Sequence, residues 1–408
     1  MTSAAVRATA PPTAEELIRR ASGLVPQIRA LAEETERNRA ISPRVIAAIR
    51  DAELLRTTRP KEFGGFEYDA LVALEISLTI SAACASTGWA VNGALSNGIS
   101  FGHYPIAAQR ELWGEGADPF TCACFAPTGS AVPSDGGYVL SGKWSFASGV
   151  DHASWIRLGA LIKSSDAAAQ NGSPPGDGAF FLLPIGDVEI EDNWFVYGLC
   201  GTGSKNIIVH DAFVPGHRVL RFADTRSGRT PGAQHHQNPL YRLPLLVLGA
   251  SMLASTAVGA AKGALADYLA TTTGRRTRGA LAGGGLAMAE LATVQLRYAE
   301  AAAATEAAEL ILFTDMRAAM AKLRAGEEIT VADRIRARRN QAYATRLALQ
   351  SVETLNASTG GAGLLLGNPI QRAWRDVNAV ARHVSLNWDA VGTMYGQHAF
   401  GLEPRGQY

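Results

Sequence analysis

The sequence predicts a mostly α-helical protein with a central β domain: an N-terminal helical domain, a middle antiparallel β-sandwich or barrel, and a C-terminal helical bundle. Apolar residues recur at spacings of three and four before Trp113 and again after Leu240, the period of amphipathic helices. From about Pro119 to Asp224 they give way to short runs of Val, Ile, Phe and Trp separated by Gly, Pro, Asp and Ser. With 408 residues, 47% of them hydrophobic and 18% charged, the chain can bury two or three such layers. The expected domains are residues 1–118, 119–230 and 231–408.

The first helix begins at Thr13, with Glu16 three residues later as in a capping box, and Leu17, Ala21, Leu24, Ile28 and Leu31 form its apolar face. Ser42 and Pro43 stand at the N-cap and first position of another. After the Gly/Pro break "RPKEFGGFEYD", one long helix is expected around "ALVALEISLTISAACASTGWAVNG". Strands are expected in "GGYVLSGKWSFASG", "SWIRLGALI", "GAFFLLPI", "VEIEDNWFVYG" and "SKNIIVHDAFVP", with "AAAQNGSPPGDG" an exposed loop. "SGRTPGAQHHQNP" reads as a linker. Beyond it, "MAELATVQLRYAEAAAATEAAELILFTDM" and "VADRIRARRNQAYATRLALQSVETLNAS" are long amphipathic helices of the kind that build oligomer interfaces, so a homo-oligomer, a tetramer, is expected.

A net charge of +1 without long blocks of one sign signals neither nucleic acid nor a membrane surface. "LPLLVLGASMLAS" is short for a span and interrupted by Gly249 and Ser251. "MTSAAVRATAPPTAEE" lacks an apolar core and reads as a flexible arm, not a signal peptide. Cys84, Cys122, Cys124 and Cys200 have no metal-ligand spacing and suit reduced core thiols of a cytoplasmic protein. The adjacent His235 and His236 have no further ligands nearby in sequence, so a surface loop is expected and no metal site. "ARRNQ" reads as a solvated or interface helix face. No GxSxG and no GxGxxG between strand and helix is present, which argues against hydrolase chemistry and an NAD(P)H site.

Four patterns in order, "FAPTGSAVPSDGGYVLSGKWSFASGVDHASW", "LCGTGSKNIIVHDAFVP", "STGGAG" and "QRAWRD", resemble the acyl-CoA dehydrogenase superfamily over nearly the whole chain. "KWSFASGVDHASW", "GTGSKNIIV" and "WDAVGTMYGQHAFGLEPRGQY" are similar to its reduced-flavin-dependent two-component monooxygenases, such as 4-hydroxyphenylacetate hydroxylases and dibenzothiophene monooxygenase. The resemblance implies an acyl-CoA dehydrogenase-like fold and reduced flavin, FADH2 or FMNH2, delivered by a separate NAD(P)H:flavin reductase. With O2 it would form a C4a-hydroperoxide and oxygenate a small aromatic or heteroaromatic molecule, possible rings including an indole.

The resemblance also assigns residues. Ser148 matches the hydroxyl facing flavin N5, and Phe146 an aromatic position packed on the isoalloxazine. His383 stands where thioester dehydrogenases often carry a glutamate base, and would hydrogen-bond the distal peroxide oxygen or a substrate heteroatom. Asn97 falls where phenol-hydroxylating members have a substrate-contacting histidine, and an amide takes no proton at neutral pH. His103 is the alternative contact. Arg275, with Arg276 and Arg278 as alternatives, resembles the flavin-phosphate arginine that often reaches in from a neighbouring subunit. Gly360 and Gly361 would let the nucleotide end approach the backbone. Cys200 departs from a frequent arginine. The competing readings are an FAD-dependent acyl-CoA dehydrogenase with its base elsewhere, and a catalytically silent flavin-binding scaffold.

Overall fold

The structure, a computed structural model, describes residues 10–114, 118–163, 178–227, 229–277 and 285–408. The loop expected at residues 167–177, Arg278 and the first nine residues lie outside these. Helix α1 (Ala14–Ala30) starts at Thr13, whose hydroxyl accepts the Glu16 N–H at 3.2 Å, and it buries Leu17, Ala21 and Ile28. Helices α2 (Ala32–Asn38) and α3 (Pro43–Asp51) follow, with Ser42 at the α3 N-cap but making no side-chain cap bond. The single long helix expected next is two, α4 (Ala70–Ala83) and α5 (Ala85–Phe101), parted where Cys84 takes an extended φ of −159°. A Cβ on Gly88 would fall 2.0 Å from Ser81 Oγ, so the sharp turn between the helices depends on glycine there. Helix α6 (Ile106–Trp113) leads into the sheet.

Seven strands follow: β1 (Thr121–Ser134), β2 (Gly137–Ala147), β3 (Trp155–Ile162), β4 (Gly178–Pro184), β5 (Glu189–Glu191), β6 (Lys205–Pro215) and β7 (Val219–Arg221). They form one sheet in the order β5-β6-β2-β1-β3-β4-β7. The expectation of a purely antiparallel domain is corrected, because β1 and β3 are parallel. Strand β6 occupies the outer edge of β2, so β3 crosses to the free edge of β1 and runs with it. Trp144 locks the crossing: its ring lies over Gly129 and its indole N–H donates to the Gly159 carbonyl at 2.6 Å.

The chain then forms α7 (Phe222–Ser227), α8 (Pro231–His235), α9 (Leu245–Thr272), α10 (Ala292–Arg324), α11 (Val331–Ala357), α12 (Pro369–Ala381) and α13 (Trp388–Ala399). The expected linker is instead held in place: Thr230 caps α8, and buried His236 bonds Gln109 Oε1 through Nε2 at 2.9 Å. Gly249 and Ser251 do not interrupt α9. Ser251 returns its hydroxyl to the Val247 carbonyl at 2.8 Å, and the helix runs 28 residues, long and apolar enough to cross a membrane yet mostly buried in the protein. One continuous apolar core joins α1, α4 and α5 to α9, α10, α11 and α12. The sheet has its own core, and a third cluster links α5 and α6 to β4.

Candidate active site

The site begins at an irregularity in β2. Its pairing with β6 slips between Trp144 and Ala147, and Phe146 inside the slip has φ 71°. A non-glycine residue in that region is strained and persists only where its surroundings impose it. The bulge turns the Phe146 ring outwards, 68% exposed, edge-on to Trp194 at 6.0 Å. Gly149 (φ 76°) then ends the strand, and a Cβ there would lie 2.8 Å from the Phe120 ring.

Between them, Ser148 enters a hydroxyl relay. Its Oγ accepts the Trp89 indole N–H at 2.9 Å and lies 2.7 Å from Ser204 Oγ. Ser204 lies 2.6 Å from Thr202 Oγ1, which donates to the Leu199 carbonyl at 2.8 Å. A hydroxyl has one hydrogen. With that of Thr202 given to Leu199, Ser204 donates to Thr202 and Ser148 donates to Ser204. Ser148 therefore keeps one lone pair, and it is an acceptor.

The relay is anchored by the "WRD" motif. Leu199 has φ 55°, and its N–H donates to Asp376 Oδ1 at 2.6 Å. Arg375 donates to the Tyr197 carbonyl at 2.6 Å and pairs with Glu36 at 2.5 Å. Burial is the main cause that pushes the Asp376 carboxyl from 3.8 up to about 6. The folded chain thus binds the proton more tightly than the unfolded chain, and this group's contribution to stability falls as pH rises from about 4 to about 6. Asp376→Asn is expected to flatten that part of the urea-denaturation profile, whereas Asp376→Ala strands the Leu199 N–H and costs ~1–3 kcal/mol. A profile in Asp376→Asn as steep as the wild type would refute the assignment.

His383 follows α12 and stacks edge-on to Trp89, with ring centroids 5.5 Å apart. The Ser385 N–H donates to its Nδ1 at 3.1 Å, so in the neutral ring Nε2 carries the hydrogen. Burial first, and then the charge of Arg338, lower the imidazole to about 4. At neutral pH His383 is thus an uncharged donor with no proton-accepting nitrogen free. Arg338, in the stretch expected to form a solvated or interface helix face, is buried, donating to Gln341 Oε1 at 3.1 Å and the Gln407 carbonyl at 3.3 Å.

Asn97 is buried, donating to Thr121 Oγ1 at 2.9 Å and accepting from Arg157 Nη2 at 3.4 Å. His103 is buried too, its Nδ1 2.9 Å from Thr230 Oγ1. Arg275 donates to the Thr359 carbonyl at 3.1 Å, which sets it beside Gly360 (φ 64°) and Gly361, both with open space where a Cβ would point. The structure thus gathers Phe146, Ser148 and His383 in one place and Arg275, Gly360 and Gly361 in another. No hydrogen bond or ring contact joins the two groups among the described residues. Cys200 is buried, its thiol donating to the Val196 carbonyl at 2.9 Å. His235 is exposed and bonds Glu62 at 2.7 Å, so a carboxylate does accompany the histidine pair, while His236 is buried rather than in a surface loop.

Trp89, Thr202, Ser204 and Arg157 carry no role in the sequence reading. A charged residue inside the apolar run "SWIRLGALI" was the one signal available for Arg157. The exposed ring of Phe146, two residues before the acceptor Ser148, suits a flat, polar-edged ring system.

A family model described as "Acyl-CoA dehydrogenase, C-terminal domain" matches residues 251–388. The FADH(2)-dependent resorcinol hydroxylase, oxygenase component, of Rhizobium sp. (strain MTP-10005) is 46% identical, covering 96% of both chains. The chain belongs to the oxygenase components of flavin-dependent monooxygenases. The crystal structure of 3-HSA hydroxylase from Rhodococcus sp. RHA1 superposes on this oxygenase with a TM-score of 0.88, at 34% identity over 95% of this chain and 97% of that one. XiaF from Streptomyces sp., in complex with FADH2 and glycerol, matches at 0.88 and 28% identity over 97% of each. The oxygenase therefore has the acyl-CoA dehydrogenase-like fold and is an enzyme, half of a two-component system that hydroxylates an aromatic substrate with reduced flavin and O2. A separate flavin reductase completes that system.

Proposed function

We propose that this oxygenase takes FADH2, uses its C4a-hydroperoxide and hydroxylates a phenolic ring. The flavin supplies activated oxygen; the chain holds the hydrogens and positions the ring. The hydroxyl relay carries the reading: with its own hydrogen directed to Ser204, Ser148 accepts the N5 hydrogen and keeps it from leaving, the usual route of collapse to peroxide. Phe146 would pack against the flavin ring, and His383 would donate its Nε2 hydrogen to the activated oxygen or to a substrate ring hydroxyl. Arg275 with Gly360 and Gly361 would take the flavin phosphates of a neighbouring protomer in a homotetramer, a reading supported by the bond from Arg275 to the Thr359 carbonyl, which holds it beside the two glycines.

FADH2 rather than FMNH2, and a phenol rather than an indole-like ring, are supported by the resorcinol hydroxylase at 46% identity. The argument against a phenol rested on Asn97 as the substrate contact, and Asn97 is committed to Thr121 and Arg157. Four buried, unpaired cysteines suit a reducing cytoplasm. Stopped-flow mixing of the protein and FADH2 with oxygenated buffer is expected to give a long-lived near-ultraviolet species before oxidised flavin appears. Prompt oxidation without it would overturn the proposal.

A further inference from the structure

Arg157 sits on β3 with 1% exposure, and no carboxylate pairs with it among the described residues. Its guanidinium lies 4.5 Å from the centroid of Phe125, 5.2 Å from Phe180 and 5.3 Å from Phe101. Its one hydrogen bond is the 3.4 Å contact from Nη2 to Asn97, and Nε and Nη1 have no acceptor. Tyr104, fully buried with its ring 5.9 Å from that of Phe101, leaves its hydroxyl unpartnered as well.

A buried charge is ordinarily paired, and buried donors are ordinarily bonded, because stripping either of water is unfavourable. Aromatic faces attract a cation but accept few of its hydrogens. A buried guanidinium with two nitrogens unbonded in an aromatic cage, and a buried phenol oxygen without a partner beside one of its rings, are the pattern of a site completed by a ligand. Phe101 and Phe180 are buried at 1% and 7% exposure, whereas Phe125, on β1, is 45% exposed. Of the three rings around the guanidinium, Phe125 is the one that reaches the surface.

Resting on the reading of this protein as a phenol hydroxylase, we infer that Arg157, caged by Phe101, Phe125 and Phe180 and backed by Tyr104, receives the ionised oxygen of the substrate ring. A neutral phenol entering the cage releases its hydroxyl proton to bulk water and binds as the phenolate, with Arg157 N–H groups donating to the oxygen. The phenolate form makes the ring electron-rich, which is what transfer of an electrophilic oxygen requires. This does the work that neither Asn97, an amide, nor His383, whose free nitrogen bears hydrogen, can do by taking a proton. Burial lowers the Arg157 guanidinium to about 10, so it stays charged at neutral pH, and its charge acts on Tyr104 and His103.

The test uses 4-nitrophenol, whose ionised form has its own visible band, titrated with the full-length protein at a pH below the probe's own pKa. The wild type is expected to bind it with the phenolate spectrum and to release one proton per molecule bound, read by calorimetry in buffers of differing ionisation enthalpy. Arg157→Met is expected to bind at least tenfold more weakly, without the phenolate band, and to melt no lower than the wild type, since removing an unpaired buried charge relieves its desolvation. Arg157→Lys is expected to restore part of the band. A wild type that binds the probe as the neutral phenol, or an Arg157→Met that keeps the band, would overturn the inference. Adduct formation by the wild type with FADH2 and O2 alone is read separately. Its absence would remove the flavin reading while leaving the oxyanion site to stand or fall on the probe.

Discussion

Ser148→Ala shortens the lifetime of the oxygen adduct about 10- to 100-fold, the worth of one buried hydrogen bond of roughly 1.5–3 kcal/mol. Stopped-flow absorbance reads the lifetime, and the peroxide released per FADH2 consumed rises in step. The direction follows from the relay, in which the Ser148 oxygen gives its hydrogen to Ser204, accepts that of Trp89 and keeps one lone pair. Ser204→Ala is the internal control. It frees the Ser148 hydrogen without removing the oxygen, so its effect is smaller and of the same sign. An adduct that decays equally fast in wild type and Ser148→Ala would remove Ser148 from the chemistry.

His383→Phe lowers the yield of hydroxylated product about 100-fold while the adduct still forms, within the range measured for removal of an acid–base group. His383→Asn, which keeps an N–H donor, recovers part of the yield. Because burial and Arg338 hold the imidazole at about 4, the wild-type yield does not follow a histidine titration at neutral pH. A yield that rose or fell with a midpoint near 6.5 in the wild type, and lost that midpoint in His383→Phe, would show that His383 changes its charge during the reaction. The same lowered value has a stability consequence. The unfolded chain binds this proton more tightly, so the contribution of His383 to stability is full above about pH 6.5 and is lost as pH falls towards about 4. That slope opposes the one from Asp376 across part of the same range.

Both candidates were named from sequence motifs, but their protonation and hydrogen-bond partners were not legible there. "WSFASG" marks where Ser148 stands, yet the direction of its hydrogen depends on Thr202 and Ser204, more than fifty residues later, and on a Leu199 N–H held by Asp376 from α12. His383 was expected to titrate near neutrality. The ring is neutral because Arg338 and the surrounding core, not its sequence neighbours, set its electrostatics. Asn97 was expected to meet substrate from a gap-free count along α5. Its amide turns instead to Thr121 and Arg157, on strands that only the folded sheet brings against that helix.

By itself the sequence determined the succession of helical, β and helical parts, the cap at Thr13, the helix start at Pro43, and the family, because these depend on local period, local backbone geometry and ordered motifs. It could not show that α4 and α5 break at Cys84, that β3 runs parallel to β1, or that the α9 stretch continues through Gly249 as a buried helix. Each of those is decided by which surface packs against the element. Only the tertiary structure decided which polar atoms are satisfied. It completes the relay beneath Ser148 with partners far along the chain, and it leaves Arg157 buried with no carboxylate partner among the described residues, its Nε and Nη1 hydrogens unmet.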